Sequence, residues 1–415
     1  MHTTPVSNRL HIGIFGKRNV GKSSFINALT GQNIAIVSDQ PGTTTDPVGK
    51  SMEIAGIGPV YLYDTAGIDD SGELGLKRVG KTKQVMNKIN LALVIVTAEG
   101  FDEADIRLVE ELHSRGCDII VVCNKIDILQ PNGAILERIA GYGIPCVRVS
   151  CATREGIEEA KQTIIERGSK ISPEQPSLIG DIIQPGELVL LVVPIDLGAP
   201  KGRLILPQVQ VIRDILDHNA VALTAKEHEL LDSLKMLTHP PSLVICDSQV
   251  VKKVADAIPP DIKFTTFSIL FSRQKGDLAT FVRGVRQIDR LQDGDTVLIM
   301  EACTHHPMPD DIGRVKLPRW IRQFTGRDIL FDVNAGPLLD KDLSTYRLII
   351  ACGGCMINRQ EMLFRIKAAH AARIPITNYG IAISYVHGVL QRVLSPFPHE
   401  RTLCNMPAAM LAVDL

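Results

Sequence analysis

Leu10-His11-Ile12-Gly13-Ile14-Phe15-Gly16-Lys17-Arg18-Asn19-Val20-Gly21-Lys22-Ser23-Ser24 decides the fold of the first third of this 415-residue chain. The first six residues read as a buried strand. A glycine-spaced turn follows, and the apolar spacing from Ser24 to Leu29 predicts a helix. Gly-x4-Gly-Lys-Ser between a strand and a helix is a P-loop. Its glycines let backbone N–H groups face phosphate oxygens, and the helix N-terminus adds a favourable dipole. Lys22 is placed to reach the β- and γ-phosphates and the Ser23 hydroxyl to ligate Mg2+, with Gly21 and Ser24 in the same cradle.

Three more motifs follow in order, each directly after an apolar run. Residues 60–63 lead into Asp64-Thr65-Ala66-Gly67. A carboxylate at a strand end can hold Mg2+ through water, and the Gly67 N–H can sense the γ-phosphate. Residues 121–123 lead into Asn124-Lys125-Ile126-Asp127, where a carboxylate can accept both donors of a guanine edge, which adenine does not offer. Ser150-Cys151-Ala152 fits the loop that closes on the base. Four motifs in this order select GTP. The intervening segments alternate predicted strands (91–96, 118–123) with helices (73–87, 103–115, 134–140, 157–167), giving a doubly wound α/β domain with its ligand at the strand C-termini.

These residues resemble the Era, Der and MnmE-like class of GTPases. Pro41-Gly42-Thr43-Thr44-Thr45-Asp46 is similar to that class's switch I, which makes Thr44 the residue that meets Mg2+ in the GTP state. Ile68 stands where Ras-like proteins carry a water-positioning glutamine. Asn19 matches the P-loop asparagine that helps hold K+ in MnmE-like members; its plainer reading is a loop-stabilising amide. The catalytic set implied by the resemblance is Lys22, Thr44 and Gly67, with hydrolysis stimulated by potassium.

The rest of the chain extends the α/β pattern. The length predicts two or three domains. We expect a GTP-binding domain at 1–170, a dimerisation or docking domain at 178–265 and a cluster-binding domain at 266–415, the last two being smaller α/β units. Residues 171–177 read as a linker with two prolines. The middle segment holds no catalytic constellation; Asp196, Lys201 and Arg203 could take an anion but read more simply as a solvated loop. A net charge of −1 argues against nucleic acid as the main partner, and no apolar run is long enough to span a bilayer. Nine cysteines without a secretory leader imply a reducing, cytoplasmic setting. Cys117, Cys123, Cys146 and Cys246 lie in or beside apolar runs and read as small buried hydrophobes.

Cys303, Cys352 and Cys355 are different. Glu301-Ala302-Cys303-Thr304-His305-His306 directly follows the predicted strand 296–300, and Ala351-Cys352-Gly353-Gly354-Cys355 follows the predicted strand 347–350. A parallel sheet opens all strand C-termini on one edge, so the fold itself brings the thiols together. Three cysteines with His305 or His306 could close a zinc site. Three cysteines with an exchangeable fourth position suit an iron–sulfur cluster.

A GTPase domain, a quiet middle domain and Cys-x-His plus Cys-x-x-Cys together resemble, over the whole chain, the HydF family of maturation factors for FeFe hydrogenases. In that family a histidine often precedes the Cys-x-x-Cys; Ala351 stands there here. The fourth ligand therefore stays open between His305, His306, Glu301, Glu400, Cys404, water and an exogenous group. The resemblance implies a GTP-hydrolysing scaffold carrying a 4Fe–4S cluster on Cys303, Cys352 and Cys355. It implies a transient di-iron precursor, the radical-SAM maturases HydE and HydG and the apo-hydrogenase HydA as partners, and a homodimer. The alternative is an RNA-modification or ribosome-assembly GTPase with a structural zinc. A metal-sensing regulator would need a DNA-binding signature, and the sequence shows no helix-turn-helix pattern.

Overall fold

The computed structural model describes residues 4–31, 48–65, 67, 80–98, 100–171, 176–194, 204–302, 311–336 and 341–406. Thr44, Ile68, Cys303, His305, His306, Asp196, Lys201 and Arg203 lie outside the described residues, as does the first half of the helix expected at 73–87. The chain divides into two compact units, 1–174 and 175–415.

Among its described residues the first unit has six strands: β1 (Leu10–Phe15), β2 (Val48–Ile54), β3 (Gly58–Asp64), β4 (Leu91–Thr97), β5 (Asp118–Asn124) and β6 (Cys146–Arg148). Their order is β2-β3-β1-β4-β5-β6, parallel except for β2, which runs antiparallel to β3. All of β1, and nearly all of β4 and β5, is buried, as expected of strands covered on both faces. β2 is the exception to the sequence reading, which assigned no strand there. Its Lys50 and Glu53 suit a solvent-facing edge. Helices α1 (Lys22–Thr30), α2 (Glu103–Ser114), α3 (Gly133–Ala140) and α4 (Ile157–Ile171) cover the sheet. Two separate cores result, one around Phe25, Ile26 and Ile164 and the other around Phe15, Leu108 and Leu112.

The second unit holds two four-stranded, fully parallel sheets. β7 (Leu188–Val192), β8 (Val221–Ala225), β9 (Leu243–Cys246) and β10 (Lys263–Thr266) run in the order β10-β9-β7-β8. β11 (Thr296–Glu301), β12 (Leu330–Ala335), β13 (Leu348–Ala351) and β14 (Ile376–Asn378) run in the order β12-β11-β13-β14. The helices are α5 (Leu206–Asp217), α6 (Leu230–Lys235), α7 (Val251–Ala257), α8 (Phe267–Lys275), α9 (Leu278–Val285), α10 (Leu317–Thr325), α11 (Arg359–Ala371), α12 (Tyr379–Val386), α13 (Leu390–Val393) and α14 (Pro398–Asn405).

One contiguous set of buried side chains runs through both sheets, from Leu178 to Leu403. The expected boundary at 265/266 falls inside β10. The helix expected over 312–325 opens instead with a π-helical turn, Ile312–Lys316, and that expected over 379–394 is interrupted between α12 and α13. Among the described residues no helix is long and apolar enough to cross a membrane.

Candidate active site and metal centre

At the nucleotide site, Gly21 caps α1 with φ 98°, and a Cβ there would lie 2.3 Å from Asn124 Nδ2. Only glycine satisfies both the backbone angle and the close approach. Lys22 Nζ donates to Gly16 O (3.0 Å) and Lys17 O (2.7 Å), so the ammonium lies under the curl of the loop. Ser23 Oγ donates to Asp64 Oδ2 at 3.2 Å. The hydroxyl from α1 and the carboxylate from the end of β3 thus share one spot, as a Mg2+ site in a P-loop protein requires. Burial pushes the Asp64 carboxyl up, against the pull of Ser23 and Lys22. Ser24 and Asn19 are exposed, Asn19 with φ 60°, and Gly67 is buried.

Asn124 does more than the sequence reading gave it. It is 2% exposed. Its Nδ2 donates to Val20 O (2.9 Å) and its Oδ1 accepts from Cys151 N (3.2 Å), which clasps the P-loop to the Ser150-Cys151-Ala152 loop. Ser150 is fully buried and its Oγ accepts from Thr153 N at 3.1 Å. Lys125 holds φ 64°, while Asp127 and Ala152 are exposed. Sequence reasoning missed Lys17. Its Nζ reaches Asp102 (2.6 Å) and Asp105 (2.9 Å), the two members of the capping box that starts α2. The only signal for it was the Asp-x-x-Asp spacing before a helical run.

At the cysteine site, β11 and β13 are neighbours with Met300 opposite Ala351. The ladder continues one step, Cys352 N donating to Met300 O at 2.9 Å. Ala302 N then donates to Cys352 Sγ at 3.1 Å. The residue immediately before Cys303 therefore touches the first sulfur of the Cys-x-x-Cys loop. Gly354 holds φ 65°, with Met362 pressed against the side where a Cβ would project, so the loop turns tightly before Cys355. Burial pushes the Cys352 thiol up to about 11; the Gly354 amide, Arg365 and the Ala302 amide oppose it. Among the described residues no three His, Cys, Asp or Glu side chains converge as a metal site, Cys303 lying outside them.

The surroundings of the loop were invisible in the sequence. Lys275, at the end of α8, is 2% exposed, and its Nζ donates to Gly354 O (3.0 Å), Cys355 O (3.1 Å) and Ile357 O (2.9 Å). Burial pulls its ammonium down to about 8, while Cys355, Cys352 and Glu361 resist. Glu301, a candidate fourth ligand, is buried and its carboxylate accepts from Arg314 Nε (3.1 Å) and Nη2 (2.7 Å). Cys404 and Glu400 lie on α14, which packs on α9; burial pushes the Cys404 thiol up to about 11.

Two family models match this second unit. The hydrogen maturase F dimerization domain matches residues 178–276 and the hydrogen maturase F tetramerization domain matches residues 279–396, together more than half of the chain. The chain belongs to the HydF family. A 50S ribosome-binding GTPase model matches residues 11–125. The two HydF models meet at the turn between α8 and α9. Among curated relatives, the tRNA modification GTPase MnmE of Chromobacterium violaceum is 34% identical over 159 residues, covering 38% of this chain and 34% of that protein. The MnmE of Aquifex aeolicus is 38% identical over 160 residues, with the same coverage. The chain thus spans about a third of the length of these relatives. Among solved structures, Aquifex aeolicus Era bound to GDP.AlF4- is 21% identical, covers 52% of this chain and 92% of that one, and superposes with a TM-score of 0.34. The G domain of the FeoB iron transporter of T. maritima is 24% identical, covers 38% and 98%, and superposes with a TM-score of 0.31.

Proposed function

We propose that this hydrogenase-maturation GTPase is a scaffold that binds a 4Fe–4S cluster on Cys303, Cys352 and Cys355 and carries a di-iron precursor to apo-hydrogenase. The observation that carries the cluster reading is the 3.1 Å bond from Ala302 N to Cys352 Sγ, which brings the residue that precedes Cys303 in the chain against the Cys-x-x-Cys loop. The surroundings fit such a group. Two thiols lie past a parallel strand end, backbone N–H groups point at Cys352 Sγ, and a buried ammonium underlies the loop. Thiolates with N–H donors and low solvent access are what iron–sulfur clusters use. A bound cluster supplies one-electron chemistry and a metal position that an exogenous group can occupy. With Glu301 engaged by Arg314, the fourth position is left to His305, His306, Glu400, Cys404, an exogenous group or water.

In the first unit, Lys22 meets the β- and γ-phosphates, and Ser23, Thr44 and water-bridged Asp64 surround Mg2+. Gly67 senses the γ-phosphate, Asp127 reads guanine, and Lys125 with the 150–152 loop encloses the base. Asn19 helps hold K+, which takes the part of the absent glutamine. GTP hydrolysis gates exchange between HydE, HydG and HydA in the cytoplasm, and the segments matched by the dimerization and tetramerization models support a homodimer or higher assembly.

Anaerobic reconstitution with iron and sulfide tests the reading. We expect about four irons per chain and a reduced-state EPR signal, lost in Cys303→Ser, Cys352→Ser and Cys355→Ser without slower GTP turnover. One tightly bound zinc and no labile sulfide would overturn it.

A further inference from the structure

α8 and the cysteine loop are strapped together from both sides. Lys275 Nζ spends its three N–H bonds on the carbonyls of Gly354, Cys355 and Ile357. In return, Arg359 Nη1, four residues past Cys355, donates to Gln274 O (2.7 Å) and Gly276 O (3.0 Å), the residues flanking Lys275. The ammonium also lies 5.3 Å from the centre of the Phe271 ring. All three hydrogen-bond partners are neutral. The nearby buried carboxylate, Glu361, bonds Arg365 at 3.3 Å. Among the described residues the hydrogen-bond partners of this buried cation are all neutral, and burying a charge is costly unless an anion compensates it. Glu361 and the two cysteines of the loop it holds all act on it, and the cysteines become anions when they bind metal.

We propose that Lys275 is a positioning residue for the cysteine site: its caged ammonium fixes the Cys352-Gly353-Gly354-Cys355 loop and makes a cluster bound there easier to reduce. The inference rests on the cluster reading above. The position of Lys275 also gives it a second consequence. It lies in the segment matched by the dimerization model, whereas the loop lies in the segment matched by the tetramerization model. One side chain thereby makes the potential of the site depend on how α8 is docked. A fixed positive charge beside a cluster favours the reduced, more negative state, and local charge is a principal determinant of iron–sulfur potentials.

The test uses the full chain, reconstituted anaerobically with iron and sulfide and titrated with dithionite under EPR. Lys275→Gln keeps N–H donors for the carbonyl cage and removes the charge; Lys275→Arg keeps the charge. Trp320 emission checks that each variant is folded. We expect Lys275→Gln to be reduced with an equilibrium constant about tenfold less favourable than wild type, ~59 mV more negative for a one-electron couple, and Lys275→Arg to titrate within threefold of wild type. A role in holding the fold alone would change iron retention or unfolding but leave the potential of the loaded protein where it was. A Lys275→Gln protein that is loaded and titrates with wild type overturns this inference alone. A wild-type chain that takes up no iron and sulfide overturns the cluster reading and this inference with it.

Discussion

Replacing Asn124 with alanine cuts the clasp between the two loops of the nucleotide site, and its cost follows from two bonds. The side chain is 2% exposed, donates to Val20 O at 2.9 Å and accepts from Cys151 N at 3.2 Å. Alanine leaves both backbone groups without that partner. A buried polar group left unpaired costs about 1–3 kcal/mol. Cys151 is only partly buried, so the lower end applies to its N–H and the middle to the Val20 carbonyl, a total of about 2–4 kcal/mol. With a urea slope of about 2 kcal/mol/M, the midpoint of the first unit falls by roughly 1–2 M. Asn124→Asp keeps the acceptor for Cys151 but faces a carboxylate oxygen to the Val20 carbonyl, so it loses at least as much.

The assay exploits the single tryptophan, Trp320, which lies on α10 of the second unit. Its fluorescence follows that unit, whereas far-UV circular dichroism follows both, as a chain of two units demands. Circular dichroism should show an early transition that the Trp320 signal lacks, and a fluorescent GDP analogue should bind more weakly. Alanine and aspartate variants that unfold at the wild-type midpoint, or a loss seen in the Trp320 signal, would refute the clasp.

Three further outcomes are expected. His11 is buried between Val6 O (2.8 Å) and Tyr63 Oη (3.0 Å), and burial lowers its pKa from 6.5 to about 4. The folded state therefore favours the neutral ring, so its stability is fully present above about pH 6.5 and falls as pH drops toward 4. Urea unfolding at pH 7 and pH 5 should show a loss of about 2 kcal/mol in the wild type that His11→Gln lacks, and equal losses would dismiss the assignment. Lys22→Ala should lower GTP hydrolysis by about 10²-fold or more while leaving iron uptake intact, read by phosphate release and iron assay on one preparation. Exchanging K+ for Na+ should slow hydrolysis in wild type but not in Asn19→Ala; a wild-type rate indifferent to the cation removes the role given to Asn19.

Much of this protein was legible because its chemistry is local. A P-loop is a run of eight residues between a strand and a helix, and the buried strands β1, β4 and β5 show as largely apolar runs. What escaped the sequence did so for physical reasons. β2 mixes lysine and glutamate with apolar residues because an edge strand faces water. α8 shows no amphipathic stripe because seven of its nine residues are buried; a helix enclosed on nearly all sides has no polar face to mark its period. Nothing in the local sequence marks Lys275 as buried.

The sequence by itself determined that GTP is the nucleotide, that the two sheets of the second unit are parallel and that Cys352 follows a strand end, since each depends on residues close together in the chain. Only the tertiary structure decided what surrounds them. Asn124 became a clasp because Val20 and Cys151, 104 and 27 residues away, meet at its side chain. Lys275 became the floor of the cysteine loop because α8 packs beneath residues 79 to 82 positions later. Hydrogen bonds across such separations are fixed by packing of the core, and no local spacing encodes them.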